Sequence, residues 1–237
     1  MTGKDPEADS VEPSMMSVEP PMATDCPEWL RDFAATASRV QVPALLRPPA
    51  NGARAAAVLI LFGEGPDGPD VLLLQRADTL RKHAGQPAFP GGGIDPGDGG
   101  PEGAALREAV EETGLDPSGV TLLATMPELY IPYSRYRVTP VVAWWREPSS
   151  VAAADPREVA SVARVPLSEL TDPANRLRVR SPSGHLGPAF RVQGMLVWGF
   201  TAGLLHTVLE AAGWDRPWDK SRVEDLPAEV IDLAGSE

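Results

Sequence analysis

From residue 88 to 100 the chain is dominated by glycine and proline, and directly behind this stretch Pro101–Thr113 reads as a helix stopped by Gly114. That pairing constrains the fold more than any other feature. A Gly-Pro stretch is a loop whose backbone can lie close against a neighbour. Pro101 suits a first helical position and Gly114 a left-handed cap. Short apolar, partly β-branched runs surround the pair, at 55–62 and 70–75 before it and at Val120–Thr125, Tyr136–Trp145 and 158–165 after it, and predict strands. The glycine, proline and aspartate of 63–69 predict a hairpin turn between the first two. Pro140 predicts a bulge or an edge position in its strand. Strands and helices mix without βαβ regularity or an internal repeat, so the expected fold class is α+β, a sandwich around a mixed sheet.

Residues 1–25 carry too little apolar periodicity to offset the entropy of ordering them and are expected to be a disordered tail. A short amphipathic helix is expected at 28–34, a hairpin from Arg176–Arg180 and 189–193, and a long packed helix at 197–212. The expected domain spans 26–215, with 216–237 an acidic C-terminal tail. A length of 237 residues and 43% hydrophobic content suffice for one sizeable core. Lys and Arg number 21 against 33 Asp and Glu, a net charge of -12. So acidic a surface repels a nucleic-acid backbone, and no nucleic-acid partner is expected. Cys26 is the one cysteine, which excludes an intrachain disulfide and a thiolate metal cluster and fits a cytoplasmic location. No stretch is long and apolar enough to span a bilayer, so no membrane association is expected.

On the predicted helix, Glu108 and Glu112 are four residues apart and Glu111 is three from Glu108, so all three can project to one side. Leu106, Ala109, Val110 and Thr113 would then form the buried side. Like charges at this spacing destabilise a helix unless a cation lies between them, and oxygen ligands without His or Cys suit Mg²⁺ or Mn²⁺. In an acidic protein, a solvated acidic face is the competing reading of three glutamates.

The neighbouring residues favour the metal reading. Gly92, five residues, Asp98, eight residues, then Arg107-Glu108-Ala109-Val110-Glu111-Glu112-Thr113-Gly114-Leu115 resembles the Nudix box, G-x5-E-x7-R-E-U-x-E-E-x-G-U. Asp98 stands where the box has Glu, one residue further from the arginine, a spacing typical of the coenzyme A diphosphatase branch. Upstream, Leu72-Leu73-Leu74-Gln75-Arg76-Ala77, then Arg81, Gly85 and Phe89-Pro90-Gly91-Gly92 are similar to that branch's signature, L-L-T-x-R-[SA]-x3-R-x3-G-x3-F-P-G-G, with Leu74 in place of Thr. Trp198-Gly199-Phe200-Thr201-Ala202 is also similar to the branch, and the resemblance spans roughly residues 40 to 213.

The resemblance implies a Nudix-type α/β/α sandwich that hydrolyses the pyrophosphate bond of coenzyme A or its thioesters, giving adenosine 3',5'-bisphosphate and 4'-phosphopantetheine or its acyl derivative. Glu108, Glu112 and the Gly92 carbonyl would hold Mg²⁺ or Mn²⁺, with Glu111 a third ligand or the base that deprotonates the attacking water. Arg107 would orient the carboxylates. Arg76, Arg81, Lys82 and His83 concentrate positive charge ahead of the glycine loop, and with Gly91 and Gly92 are the candidate substrate contacts. Solvation of a loop is the plainer reading of those cations, and a structural hydrogen bond that of His83. His185 and His206 are read as structural, and Trp144, Trp145 and Trp198 as core or interface aromatics. The expected partner is a small-molecule pyrophosphate, with homodimerisation left open. Two alternatives stay open: a pyrophosphatase for ADP-ribose, dinucleotides or nucleoside triphosphates, and a silent binding module on the same fold.

Overall fold

The computed structural model describes residues 26–42, 46–49, 52–80, 83–132 and 134–226. The expected tail at 1–25, the pair Arg81 and Lys82, and residues 227–237 lie outside these. Strands β1 (Arg54–Gly65) and β2 (Gly68–Arg76) form the first hairpin, paired from Gly65↔Gly68 back to Phe62↔Val71. Beyond that point the two strands separate, and the glycine segment enters between them. Its strand β3 (Pro87–Ala88) pairs with β2, and its strand β4 (Gly91–Gly93) pairs with β1 at Ala57↔Gly92. Residues 88–100 are therefore not wholly the loop expected from composition. At Gly91 the inserted backbone has no room for a side chain: a Cβ there would collide with the Ala57 carbonyl and Val58.

On its other side β1 runs parallel to β7 (Tyr136–Trp145), from Arg54↔Tyr136 to Phe62↔Trp144. Strand β5 (Val120–Thr125) and the short β6 (Leu129–Ile131) share the far side of β7, and β8 (Val159–Pro166) pairs with β2, completing an eight-stranded mixed sheet. Pro140 is thus in an interior strand, not at an edge. It falls between the stretches of β7 paired with β5 and with β6, where its carbonyl accepts from the Met126 N–H at 2.9 Å. The N–H it lacks would point to the same connection, so the ladder to β1 is unbroken.

Alternation along the strands sends side chains to two helical layers. Ala57, Leu59, Leu61, Leu72, Val141, Ala143 and Trp145 pack under α2 (Pro101–Thr113), which contributes Ala104, Ala105 and Ala109. Ile60, Phe62, Val71, Leu73, Val142 and Trp144 pack on the other face with α1 (Glu28–Thr36) and α4 (Gly199–Ala211). The architecture is an α/β/α sandwich with a mixed sheet. The α2 face differs from expectation, because Leu106 and Val110 are only half-buried while Ala105, Ala109, Glu112 and Thr113 face inward.

After the short helix α3 (Leu167–Thr171), β9 (Arg176–Arg180), β10 (Leu186–Val192) and β11 (Met195–Val197) form a second sheet, with β12 (Val223–Asp225) parallel to β9. This corrects the boundary at 215, since residues assigned to an acidic tail supply a strand. The acidity has a local cause: Asp225 pairs with Arg180 at 3.0 Å and Glu224 pairs with Arg191, so the strand's carboxylates answer the arginines of the hairpin.

Candidate active site at the glycine strand and the carboxylate helix

Helix α2 ends at Gly114, in the left-handed conformation at φ 67°, and lies across β1 and β4. Its rotation fixes the carboxylates. At about 100° per residue, Glu108 and Glu112 are roughly 40° apart around the axis, whereas Glu111 is about 100° from Glu112. The side chains follow this order. Glu112 is 8% exposed, Glu108 19% and Glu111 57%. The three carboxylates do not converge as a set, which corrects the expectation from spacing. Glu108 and Glu112 instead flank the glycine strand, while Glu111 turns outward.

Each inner carboxylate has a specific relation to that strand. The Gly91 N–H donates to Glu112 Oε2 at 3.0 Å. Gly91, expected as a substrate contact, thus spends its donor on a carboxylate. A Cβ at Gly92 would collide with the Glu108 carboxylate, so a glycine is required for that carboxylate to lie this close against the strand. Burial pushes the Glu112 carboxyl up to about 7, offset in part by the Gly91 N–H and Arg76 and reinforced by the charges of Glu108 and Glu158. Glu108 is also raised by burial, against the pull of Arg107. Two half-desolvated acids repelling each other beside a glycine backbone are a donor set of hard oxygens whose charge calls for a cation. The residues present fit Mg²⁺ or Mn²⁺.

Arg107 binds the assembly together. Its Nε and Nη2 donate to the two oxygens of Asp98 at 2.7 and 3.1 Å, and Nη2 donates also to the Gly93 carbonyl at 3.1 Å. Its Nη1 donates to Glu108 at 3.1 Å and to Glu111 at 3.0 Å. Asp98, shorter than the box glutamate and one residue further away, reaches the arginine bidentately, and this bond holds its carboxyl below the usual range.

Arg76, at the end of β2, brings Nη1 to 3.8 Å from Glu112 Oε1. His83 Nδ1 lies 3.1 Å from Gln86 Oε1, and both residues line a cavity that also reaches Arg76 and Gly91. Glu158 was not foreseen from sequence. It precedes β8 next to the Arg76↔Val159 pair, and this register, with the Ala154 N–H bonded to the Glu112 carbonyl at 3.1 Å, brings its charge near Glu112. Elsewhere, ligand atoms of His206, Glu210 and Asp215 lie within 4.8 Å of one another. The buried Arg176 donates to Asp215 at 2.6 Å and lies 3.0 Å from His206 Nδ1, filling that group with a guanidinium, so it is an ion-pair knot.

The described helices include none long and apolar enough to cross a membrane. Comparison with known proteins gives a consistent family. The chain is 41% identical over 173 residues to an uncharacterised Nudix hydrolase, NudL, of Citrobacter koseri, covering 68% of this chain and 86% of the relative. It is 40% identical over 173 residues to NudL of Cronobacter sakazakii, with the same coverages. Among solved structures, the Nudix hydrolase RenU of M. smegmatis is 30% identical with a TM-score of 0.43, covering 53% of this chain and 81% of that one. A family model described as the NUDIX domain matches residues 52–186, a span that contains β1 to β9, the glycine strand and the carboxylate helix. The chain belongs to the NUDIX domain family.

Proposed function

We propose that this protein hydrolyses the pyrophosphate bond of coenzyme A or its thioesters to adenosine 3',5'-bisphosphate and 4'-phosphopantetheine or its acyl derivative. The observation that carries the reading is the pairing of Glu108 and Glu112 across a glycine strand, with Arg76 at its lip, inside the two adjoining motifs that resemble the coenzyme A diphosphatase branch. Glu108, Glu112 and the Gly92 carbonyl would hold Mg²⁺ or Mn²⁺, which supplies charge neutralisation and lowers the cost of deprotonating water. Arg76 meets the negative charge that accumulates on the phosphoryl oxygens. Arg107 fixes Glu108 and Glu111 in relation to each other through one Nη1. Glu111, the most exposed of the three, takes the proton as water oxygen bonds to phosphorus and the bridging P–O bond breaks. Roles for Arg81, Lys82 and His83 toward the substrate phosphates belong to the same proposal.

The test is incubation with coenzyme A and Mg²⁺ or Mn²⁺, followed by mass identification of products. Equal amounts of the two named products are expected. Turnover confined to ADP-ribose, dinucleotides or nucleoside triphosphates would replace the substrate, and no turnover of any pyrophosphate would leave a binding module.

A further inference from the structure

A cavity of about 600 Å³ opens beside the carboxylates and shares Arg76 and Gly91 with them. This is within the range of small-molecule sites. Its walls are largely apolar: Val58, Phe89, Ile131, Trp198, Phe200 and Leu226. One wall comes from outside the family match at 52–186. It consists of the first turn of α4, namely Gly199, Phe200 and Thr201, together with Trp198 before it and Leu226 beyond β12.

Two kinds of polar group on that wall lack a hydrogen-bond partner among the described residues. The first N–H groups of a helix have no intrahelical acceptor, and Trp198 at the α4 N-cap supplies no side-chain oxygen. Thr201 is 7% exposed, lines the cavity, and its hydroxyl has no hydrogen-bond partner among the described residues. Ser181 and Ser183 from the β9–β10 turn also line the cavity, their hydroxyls 2.8 Å apart and bonded to each other. Charge is scarce by comparison, since Arg76 is the one arginine or lysine among the described lining residues, and it sits at the carboxylate end.

We infer that this cavity is the specificity pocket for the uncharged, amide-bearing arm of the substrate, the pantetheine side, and that Phe200, Thr201 and Trp198 select it. The inference rests on the proposed pyrophosphate hydrolysis for its substrate class. A bisphosphorylated nucleoside would bring several negative charges into a space whose described walls are mostly apolar, where Arg76 is the one arginine or lysine among the described lining residues. An arm of amides and methyl groups suits it: its carbonyls take the Thr201 hydroxyl and the free N–H groups of α4, and its methyls cover Phe200 and Trp198. With the pyrophosphate at Glu108 and Glu112, Arg76 and Gly91 mark where the chain of the substrate passes from one site to the other.

The experiment measures binding of the two halves separately, so that it reads the cavity even if coenzyme A is not turned over. Calorimetric titration of the full chain with 4'-phosphopantetheine and with adenosine 3',5'-bisphosphate, in Mg²⁺, is compared for wild type, Thr201→Val and Phe200→Ala. Thr201→Val should weaken 4'-phosphopantetheine about fivefold, and Phe200→Ala about tenfold or more, with adenosine 3',5'-bisphosphate changed less than about twofold. Ser183→Trp, an exposed rim position that leaves the core untouched, should also weaken only the pantetheine half. Weakened binding of the nucleotide half alone, or unchanged binding of both in all three variants, would overturn the assignment. Failure of coenzyme A turnover with the pantetheine-selective pattern intact would instead overturn the proposed reaction and keep the pocket.

Discussion

Glu112 combines three roles that conflict at the level of a single residue. It belongs to the inward face of α2, it accepts the Gly91 N–H, and it is a carboxylate in surroundings that push its pKa from 4.5 up to about 7. A folded-state pKa above the unfolded value means that the unfolded chain releases its proton first. Stability from this group is full below about pH 4.5 and is lost as pH rises through about 7. The shift corresponds to at most roughly 3 kcal/mol. In chelator, urea melts of the wild type should therefore lose stability between about pH 4.5 and 7, and Glu112→Gln should flatten that decline. The same variant should lower metal-dependent turnover at least about a hundredfold while remaining as stable as wild type at neutral pH, or slightly more so. Wild-type rates in Glu112→Gln would remove this residue from the site.

At the scale of elements, the site is a contact between the strand β4 and the helix α2, made close by two adjacent glycines with different tasks. At Gly91 a Cβ would meet backbone, the Ala57 carbonyl and the Val58 Cα, which cannot yield without moving β1. At Gly92 it would meet the end of the Glu108 side chain, which can swing away. Gly91→Ala should thus cost about 1 to 3 kcal/mol in a thermal or urea melt. Gly92→Ala should leave the melt within about 1 kcal/mol and still abolish most turnover, because the displaced carboxylate leaves the metal position. Equal stability losses in the two variants would contradict this division. Asp98 and Arg107 act at the same scale, tying the turn before α2 to the middle of that helix through a bidentate bond.

For the whole molecule, the second sheet shares the core through Phe190, Val192, Met195 and Val197, and a buried arginine ties it to the segment after α4. Arg176 is 1% exposed, donates to Asp215 beyond α4, and lies under the rings of Phe190 and Trp218 at 4.5 and 4.8 Å. This knot sets where the chain continues toward β12 and Leu226, and Leu226 packs with Leu177, Val179 and Ala189 while lining the cavity. Removing residues 221–237 should therefore lower stability by about 2 to 3 kcal/mol, from lost burial of Leu226 and Val223. It should also raise KM for coenzyme A more than it lowers kcat, since the carboxylates are untouched. A truncated chain with unchanged melt and unchanged KM would show that β12 has no part in either.

The order of residues by itself determined the local chemistry: the strands of the central hairpin, the capped helix, and the acids at Glu108, Glu111 and Glu112. These follow from periodicity, proline and glycine placement, and contacts over a few residues, which a chain carries wherever it goes. Tertiary structure alone decided which acids face the glycine strand, because the inward side of α2 is set by what β1 and β7 offer it. It also decided that Gly91 serves Glu112, that Glu158 comes near, and that an acidic terminal segment becomes a strand beside Arg180 and Arg191. Each of these depends on register between segments far apart in sequence, and register comes from packing that no local window contains.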